Sequence, residues 1–283
     1  MADYPLREAD PRFRAAVMQN ALDMSKAFQM DPLHNLLRRV FEGPARRVTE
    51  TVFHYDHLVG RDGLASSSVW LLEQFTNSVR VVGSPPPQSG PLLIVSNHPG
   101  MVDAMAVFAQ VQRPDLRIIA AERPVLRLLP NILPYLIIVP DDPQRRLPVV
   151  RTAAAHLKNG GVLLNYPGGH IEPDPALHRD AAASLAHWSD SVDILARLVP
   201  YLTILPVAVS GVISPRALRH PLARVYRTAK QREWVAATLQ VMLPRYRDTD
   251  VVVRFGQPFR ATHHPTAQAV DQMHTLIGQA AQV

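Results

Sequence analysis

From residue 91 onward, short apolar runs alternate with stretches of helical spacing, and this alternation restricts the chain more than any other feature. Leu92–Ser96, 116–120, 136–140, 162–166, Thr203–Ser210 and 251–255 read as strands. Helices are expected between them near 102–113, 146–159, 191–199 and 231–242. The strands are apolar along their whole length rather than at every second residue, so both faces must be covered. Strands of that kind separated by helices predict an α/β fold, with a largely parallel central sheet flanked by helices. Ligands in such sheets bind beyond the carboxyl ends of the strands.

The first part of the chain has a different period. Phe13, Val17, Ala21, Met24 and Phe28 recur every three or four residues and make one apolar stripe. Asp31-Pro32 suits a helix start, a capping carboxylate followed by proline at the first helical position. Leu33, Leu36, Leu37, Val40 and Phe41 continue from it at helical spacing. Further helices are expected at about 45–57 and 64–77. Gly83-Ser84-Pro85-Pro86-Pro87-Gln88-Ser89-Gly90 is a loop by composition. The chain therefore divides into an N-terminal helical region, 1–80, and an α/β domain, 81–283.

Several chemistries are excluded or disfavoured. The 283 residues include no cysteine, which removes disulfides, thiolate nucleophiles and cysteine-held metals. The most apolar stretch, 126–139, is interrupted by Pro130 and Pro134 and is shorter than the roughly 20 residues a membrane span needs. It fits a buried helix–turn–strand better. Residues 191–212 carry Asp193, Arg197, Pro200 and Pro206, so they do not span either. The first residues are charged and lack the apolar core of a secretory signal, and a cytoplasmic location is expected.

The net charge of +6 is concentrated. Arg216, Arg219, Arg224, Arg227, Lys230, Arg232, Arg245 and Arg247 are opposed within that run by Glu233 alone. The run suits either a solvated face or an anionic partner such as a lipid surface. Aromatic residues are not interleaved with it, so nucleic acid is not expected as a partner. His54-Tyr55-Asp56-His57 contains metal-ligand residue types, but its spacing matches no zinc pattern and a solvated helix face is expected.

Two strand ends carry residues suited to chemistry. At the first, the strand Leu92–Ser96 runs into Asn97-His98-Pro99-Gly100-Met101-Val102-Asp103. A histidine leaving the carboxyl end of a strand is placed to act as a base. Asp103, in the first turn of the next helix, can fold back to orient the ring and stabilise the imidazolium. At the second, Val162-Leu163-Leu164-Asn165 runs into Tyr166-Pro167-Gly168-Gly169-His170-Ile171-Glu172. The two glycines let the main chain approach a ligand, and successive N–H groups there suit a phosphate or an oxyanion.

Taken together and in order, these segments resemble the glycerolipid acyltransferases of the lysophosphatidic acid and glycerol-3-phosphate type. His98 and Asp103 match the first block of that family, His-x4-Asp. The stretch from Ala121-Glu122-Arg123 to Asp141-Asp142 occupies the second, and Tyr166-Pro167-Gly168-Gly169 the third. Ile204-Leu205-Pro206-Val207-Ala208-Val209 resembles the fourth, and Val253-Arg254-Phe255-Gly256-Gln257-Pro258 the strand that follows. The third block has Gly168 where the family has glutamate, and its nearest carboxylate is Glu172. That arrangement is similar to diacylglycerol acyltransferases and their relatives. The second block lacks its arginine at Val139-Pro140-Asp141-Asp142, and Arg145 and Arg146 follow.

The resemblance implies transfer of a fatty acyl group from an acyl thioester, acyl-CoA or acyl carrier protein, to a hydroxyl of a glycerolipid or lysophospholipid-like acceptor. His98 would be the base and Asp103 its orienter. Asn97, Arg123, Arg145, Arg146, Pro167, Gly168, Gly169 and Glu172 are expected to contact substrate. No metal or cofactor is expected. The expected setting is peripheral, at the inner face of the membrane. A hydrolase using the same dyad and a non-catalytic lipid-binding relative are the alternatives.

Overall fold

The computed structural model describes residues 10–28 and 34–280. In chain order the helices are α1 (Pro11–Ala27), α2 (His34–Asp62), α3 (Leu64–Phe75), α4 (Asp103–Phe108), α5 (Leu147–Lys158), α6 (Ser191–Leu198), α7 (Pro215–Leu218), α8 (Pro221–Arg224), α9 (Ala229–Met242) and α10 (Pro265–Ala280). The strands are β1 (Ser78–Val82), β2 (Leu92–Ser96), β3 (Leu116–Ala121), β4 (Leu136–Val139), β5 (Val162–Asn165), β6 (Thr203–Ser210), β7 (Asp250–Phe255) and β8 (Phe259–Arg260). They form two compact units. One comprises Met1–Asn77, Arg123–Pro134 and Ile213–Thr249, and the other Ser78–Glu122, Tyr135–Val212 and Asp250–Val283.

The second unit is an α/β layer. Its eight-stranded sheet has the order β1-β7-β6-β2-β5-β3-β4, with β8 also paired to β6. The pairs among β6, β2, β5, β3 and β4 are parallel. β7 and β8 run antiparallel to β6, and β1 is parallel to β7. β2 and β5 are buried at every residue, as their continuous apolar sequence requires. On one face, Leu93, Val95, Leu163 and Ile204 join α5, α6 and α10 in the core, with Trp188, Leu195 and Met273 among the helical and turn residues. The edge strand β1 is mostly exposed.

Proline inside a central strand such as β6 is unusual because it cannot donate to a ladder. Pro206 is accommodated by its neighbours. Its C=O accepts from the Gly256 N–H at 2.8 Å. A residue's N–H and C=O point the same way in a strand, so the missing donor faces the gap between β7 and β8, not β2. Gly256 is held small there, since a Cβ would lie 2.7 Å from Gln272 Oε1 and 3.2 Å from the Pro206 oxygen.

In the helical unit α1 packs along α2. Phe28 stacks on Phe41, and Phe13 meets Phe53 edge-on. Asn20 Nδ2 donates to Thr49 Oγ1 at 2.9 Å. The helices expected on either side of residue 43 are one helix, with Pro44 inside it. A proline there costs about 3 kcal/mol, which burial of Phe41, Ala45, Phe53 and Tyr55 offsets. The expected cap at Asp31-Pro32 lies outside the described residues. No helix among the described residues is long and apolar enough to cross a membrane.

Residues 123–134 and 213–249, assigned to the α/β domain, belong to the helical unit. The physical tie for the first is Asp56, which is 6% exposed. Its carboxylate accepts from the Asn131 N–H and Nδ2 at 3.0 Å each and from the Ile132 N–H at 2.9 Å. Asp56 is thus a buried anchor and not part of a solvated face. His54 packs against Trp70, and no metal-holding group exists among the described residues. No helix was expected beyond residue 242, yet α10 forms at Pro265–Ala280. Its buried positions Ala269, Met273, Leu276, Ile277 and Ala280 have ordinary helical spacing.

The basic run 216–247 lies on α7, α8, α9 and the turns beside them. Arg216 pairs with Asp248 at 3.6 Å, and the Arg247 guanidinium covers the Phe75 ring. Arg219, Arg224, Arg227, Lys230 and Arg232 are exposed.

Candidate active site

The site grows out of the carboxyl ends of β2 and β5, neighbours in the sheet. β2 ends at Ser96, and the chain must turn sharply before α4. Two consecutive residues in left-handed conformation make that turn, Gly100 at φ 94° and Met101 at φ 56°. A side chain at 100 would be strained by its φ and would stand 3.2 Å from Ile171 Cδ1. Met101 has no such freedom, and residues held this way cluster at functional sites.

The turn brings His98 and Asp103 together. His98 Nδ1 lies 2.7 Å from Asp103 Oδ2. The same carboxylate accepts from the Gly100 N–H at 2.9 Å and the Ala104 N–H at 2.5 Å. It is therefore surrounded by donors and 1% exposed. Its demand for donors places the proton of the imidazole on Nδ1 and leaves the lone pair on Nε2. Among the described residues Nε2 has no partner, and 29% of the side chain is exposed. Burial of the ring opposes its protonation. The hydrogen bond and charge of Asp103, with the charge of Glu172 added, outweigh this and hold the pKa above the ordinary histidine value.

The loop after β5 supplies the opposite wall. Tyr166 stacks on the His98 ring, with centroids 4.4 Å apart and planes at 26°. Its hydroxyl is buried without a partner. Burial and the charge of Asp103 push its pKa well up, so it stays neutral. Gly169, at φ 67°, closes a turn by donating its N–H to the Tyr166 C=O at 3.0 Å. That N–H is spent on the turn, so the expected pair of free glycine donors is not there. Pro167 is buried, and its C=O accepts from the Ser189 N–H at 3.0 Å. Ile171, half exposed, sits against Gly100 and is an apolar contact that sequence reading missed.

Two residues expected to touch substrate have other occupations. Asn97 is 1% exposed. Its Nδ2 donates to the Val209 C=O at 2.9 Å, and its Oδ1 accepts from the Val209 N–H at 2.8 Å. The amide extends the β2–β6 ladder by one rung. Glu172 is 2% exposed. Its Oε2 accepts from the His98 N–H at 2.8 Å, and its own N–H donates to the His98 C=O at 2.8 Å. Oε1 accepts from Ser184 Oγ and Trp188 Nε1, each at 3.0 Å.

The expected arginines are not among the partners of His98, Asp103 or Glu172. Arg145 and Arg146 are exposed at the start of α5. Arg123 precedes the short turn Pro124–Leu128 of the helical unit. Asp174 was not anticipated. Fully buried, it accepts from the Gly211 N–H and Val212 N–H at 2.8 Å each and seals the end of β6. The flanking Pro173 and Pro175 are the signal that marks it as part of a fixed turn.

Residues 78–210 match the family model described as Acyltransferase. None of the curated proteins matches the chain. Among solved structures, the 1-acyl-sn-glycerophosphate (LPA) acyltransferase PlsC from Thermotoga maritima is similar at 17% identity and a TM-score of 0.46. The match covers 93% of this chain and 95% of that one. The segment that resembles the Acyltransferase family model contains β2, the His98–Asp103 turn, the loop after β5 and β6.

Proposed function

We propose that this acyltransferase moves an acyl group from a thioester to an alcohol, with His98 as general base. The carrying observation is the 2.7 Å contact from Nδ1 to a buried carboxylate beside an open Nε2. The acceptor hydroxyl gives its proton to Nε2 as its oxygen attacks the thioester carbonyl. The tetrahedral intermediate then collapses, the C–S bond breaks, and the thiolate takes the proton from the imidazolium. Asp103 keeps the ring in the reactive tautomer and stabilises the charged form between the two transfers. The ring can serve both steps because proton uptake and release occur at one atom.

The donor is acyl-CoA or an acyl carrier protein. The acceptor is a glycerolipid or lysophospholipid-like hydroxyl, met at the inner membrane surface. The ordered blocks of the resemblance support these choices, and the half-exposed Ile171 beside the His98 turn suits an apolar substrate. Purified protein is given an acyl-CoA or acyl carrier protein with phosphorylated and neutral acceptors. Acyl transfer is expected with at least one, and His98→Ala should abolish it while the circular dichroism spectrum is kept. Turnover retained in that variant sinks the mechanism. Free fatty acid as the sole product, whatever the acceptor, identifies a hydrolase instead.

A further inference from the structure

Glu172 stands 74 positions from His98 in sequence yet grips its main chain from both sides. Its carboxylate is surrounded by neutral donors: the His98 N–H, Ser184 Oγ and Trp188 Nε1. No cation among the described residues pairs with it. Burying a charge on neutral partners alone is costly, and an uncharged side chain would fill the space more cheaply. The charge therefore calls for a reason beyond packing.

Gly168 supplies a second, independent observation. Its φ is not in the left-handed region, so its conformation does not demand glycine. Space does. A Cβ there would lie 3.0 Å from Glu172 Cδ and 3.2 and 3.3 Å from the two carboxylate oxygens. The carboxylate of Glu172 thus occupies the room that a side chain at 168 would use.

Resting on the acyl-transfer reading above, we propose that Glu172 is the positioning residue of the base. From the place vacated by a side chain at 168, its carboxylate fixes His98 through the main chain and supports the protonated ring. The titratable groups facing that ring are Asp103 in the following helix, Glu172 and the neutral Tyr166 hydroxyl of the loop after β5. Asp103 acts on the ring directly through Nδ1. Glu172 acts through the backbone and through its charge, which adds to the effect of Asp103.

Glu172→Gln tests this. It keeps the shape and removes the charge. The turnover number should fall about 100-fold, the scale expected for small misplacement of a reacting group. KM for the acyl donor should stay within about two-fold of the parent value, since Glu172 does not bind substrate. The His98 ring, followed by NMR without substrates, should titrate at a lower pH than in the parent protein. Glu172→Asp keeps the charge, so its ring should titrate close to the parent while turnover still suffers from the lengthened main-chain bond. An unmoved His98 titration in Glu172→Gln overturns the proposal, with or without loss of turnover. Should that variant fail to fold, Gly168→Ala carries the test by pushing the carboxylate aside. It should lower turnover about 10-fold and also move the titration downward, and a parent-like protein overturns the idea. If the parent enzyme transfers no acyl group at all, the functional reading fails, while the titration still decides the role of Glu172.

Discussion

Asp103→Asn is the most informative single change because the structure dictates what each orientation of the amide would do. The carboxylate of Asp103 receives donors at both oxygens: His98 Nδ1–H and the Gly100 N–H at Oδ2, and the Ala104 N–H at Oδ1. An asparagine NH2 must replace one of these acceptors. If it takes the Oδ2 position, it faces the Gly100 N–H and forces His98 to accept at Nδ1. The ring proton then moves to Nε2, where the base is needed. If it takes the Oδ1 position, it opposes the Ala104 N–H and the Nδ1–H bond survives, but the charge behind the imidazolium is gone. Either way a buried donor loses its acceptor, at a cost of about 1–3 kcal/mol in stability. The wrong tautomer in a histidine–aspartate pair costs on the order of 10⁴ in turnover, about 5.5 kcal/mol in the barrier. Acyl transfer at saturating donor, urea unfolding and nitrogen-15 NMR of the ring report the three effects separately. The reasoning is refuted if Asp103→Asn keeps more than a tenth of parental turnover, or if its ring is protonated at Nδ1 while turnover falls only slightly.

Other outcomes follow from the same geometry. His98 must be neutral to accept a proton, so transfer should rise with pH through its pKa, and the midpoint should lie above the ordinary value of about 6.5. The pH profile of kcat/KM, which reports the free enzyme, checks this, and a midpoint below that value contradicts it. The same upward shift adds stability that is complete below the unfolded-state value and is lost as pH rises through the folded one. Gly100→Ala should lower stability by about 1–2 kcal/mol in thermal unfolding, because the residue needs a positive φ and its Cβ meets Ile171. Asp56→Ala should expose the Asn131 and Ile132 amides to rapid hydrogen exchange, since both donate to its carboxylate. Protection equal to the parent would show that another contact holds that turn.

The strands, most helices of the α/β unit and the His98–Asp103 pair were legible in the sequence because their causes are local. An apolar run such as Leu92–Ser96 must be covered wherever it goes, and a turn of five residues is short enough to bring His98 to Asp103. β1, β8 and α10 went unread. The two strands are short and carry exposed residues, and the helix begins beside polar residues that mask its apolar spacing. What only the tertiary structure decided are the partners far away in the chain. Strand order sets β2 between β5 and β6, and only then does Asn97 meet Val209, 112 residues on, as an extra rung of the ladder. The same neighbourhood brings Glu172 against His98, where a residue expected to contact substrate instead accepts from the His98 N–H. Residue type announces that a buried amide or carboxylate needs donors and acceptors. Which ones it finds depends on sheet order and register, and those are set by the packing of the whole sheet.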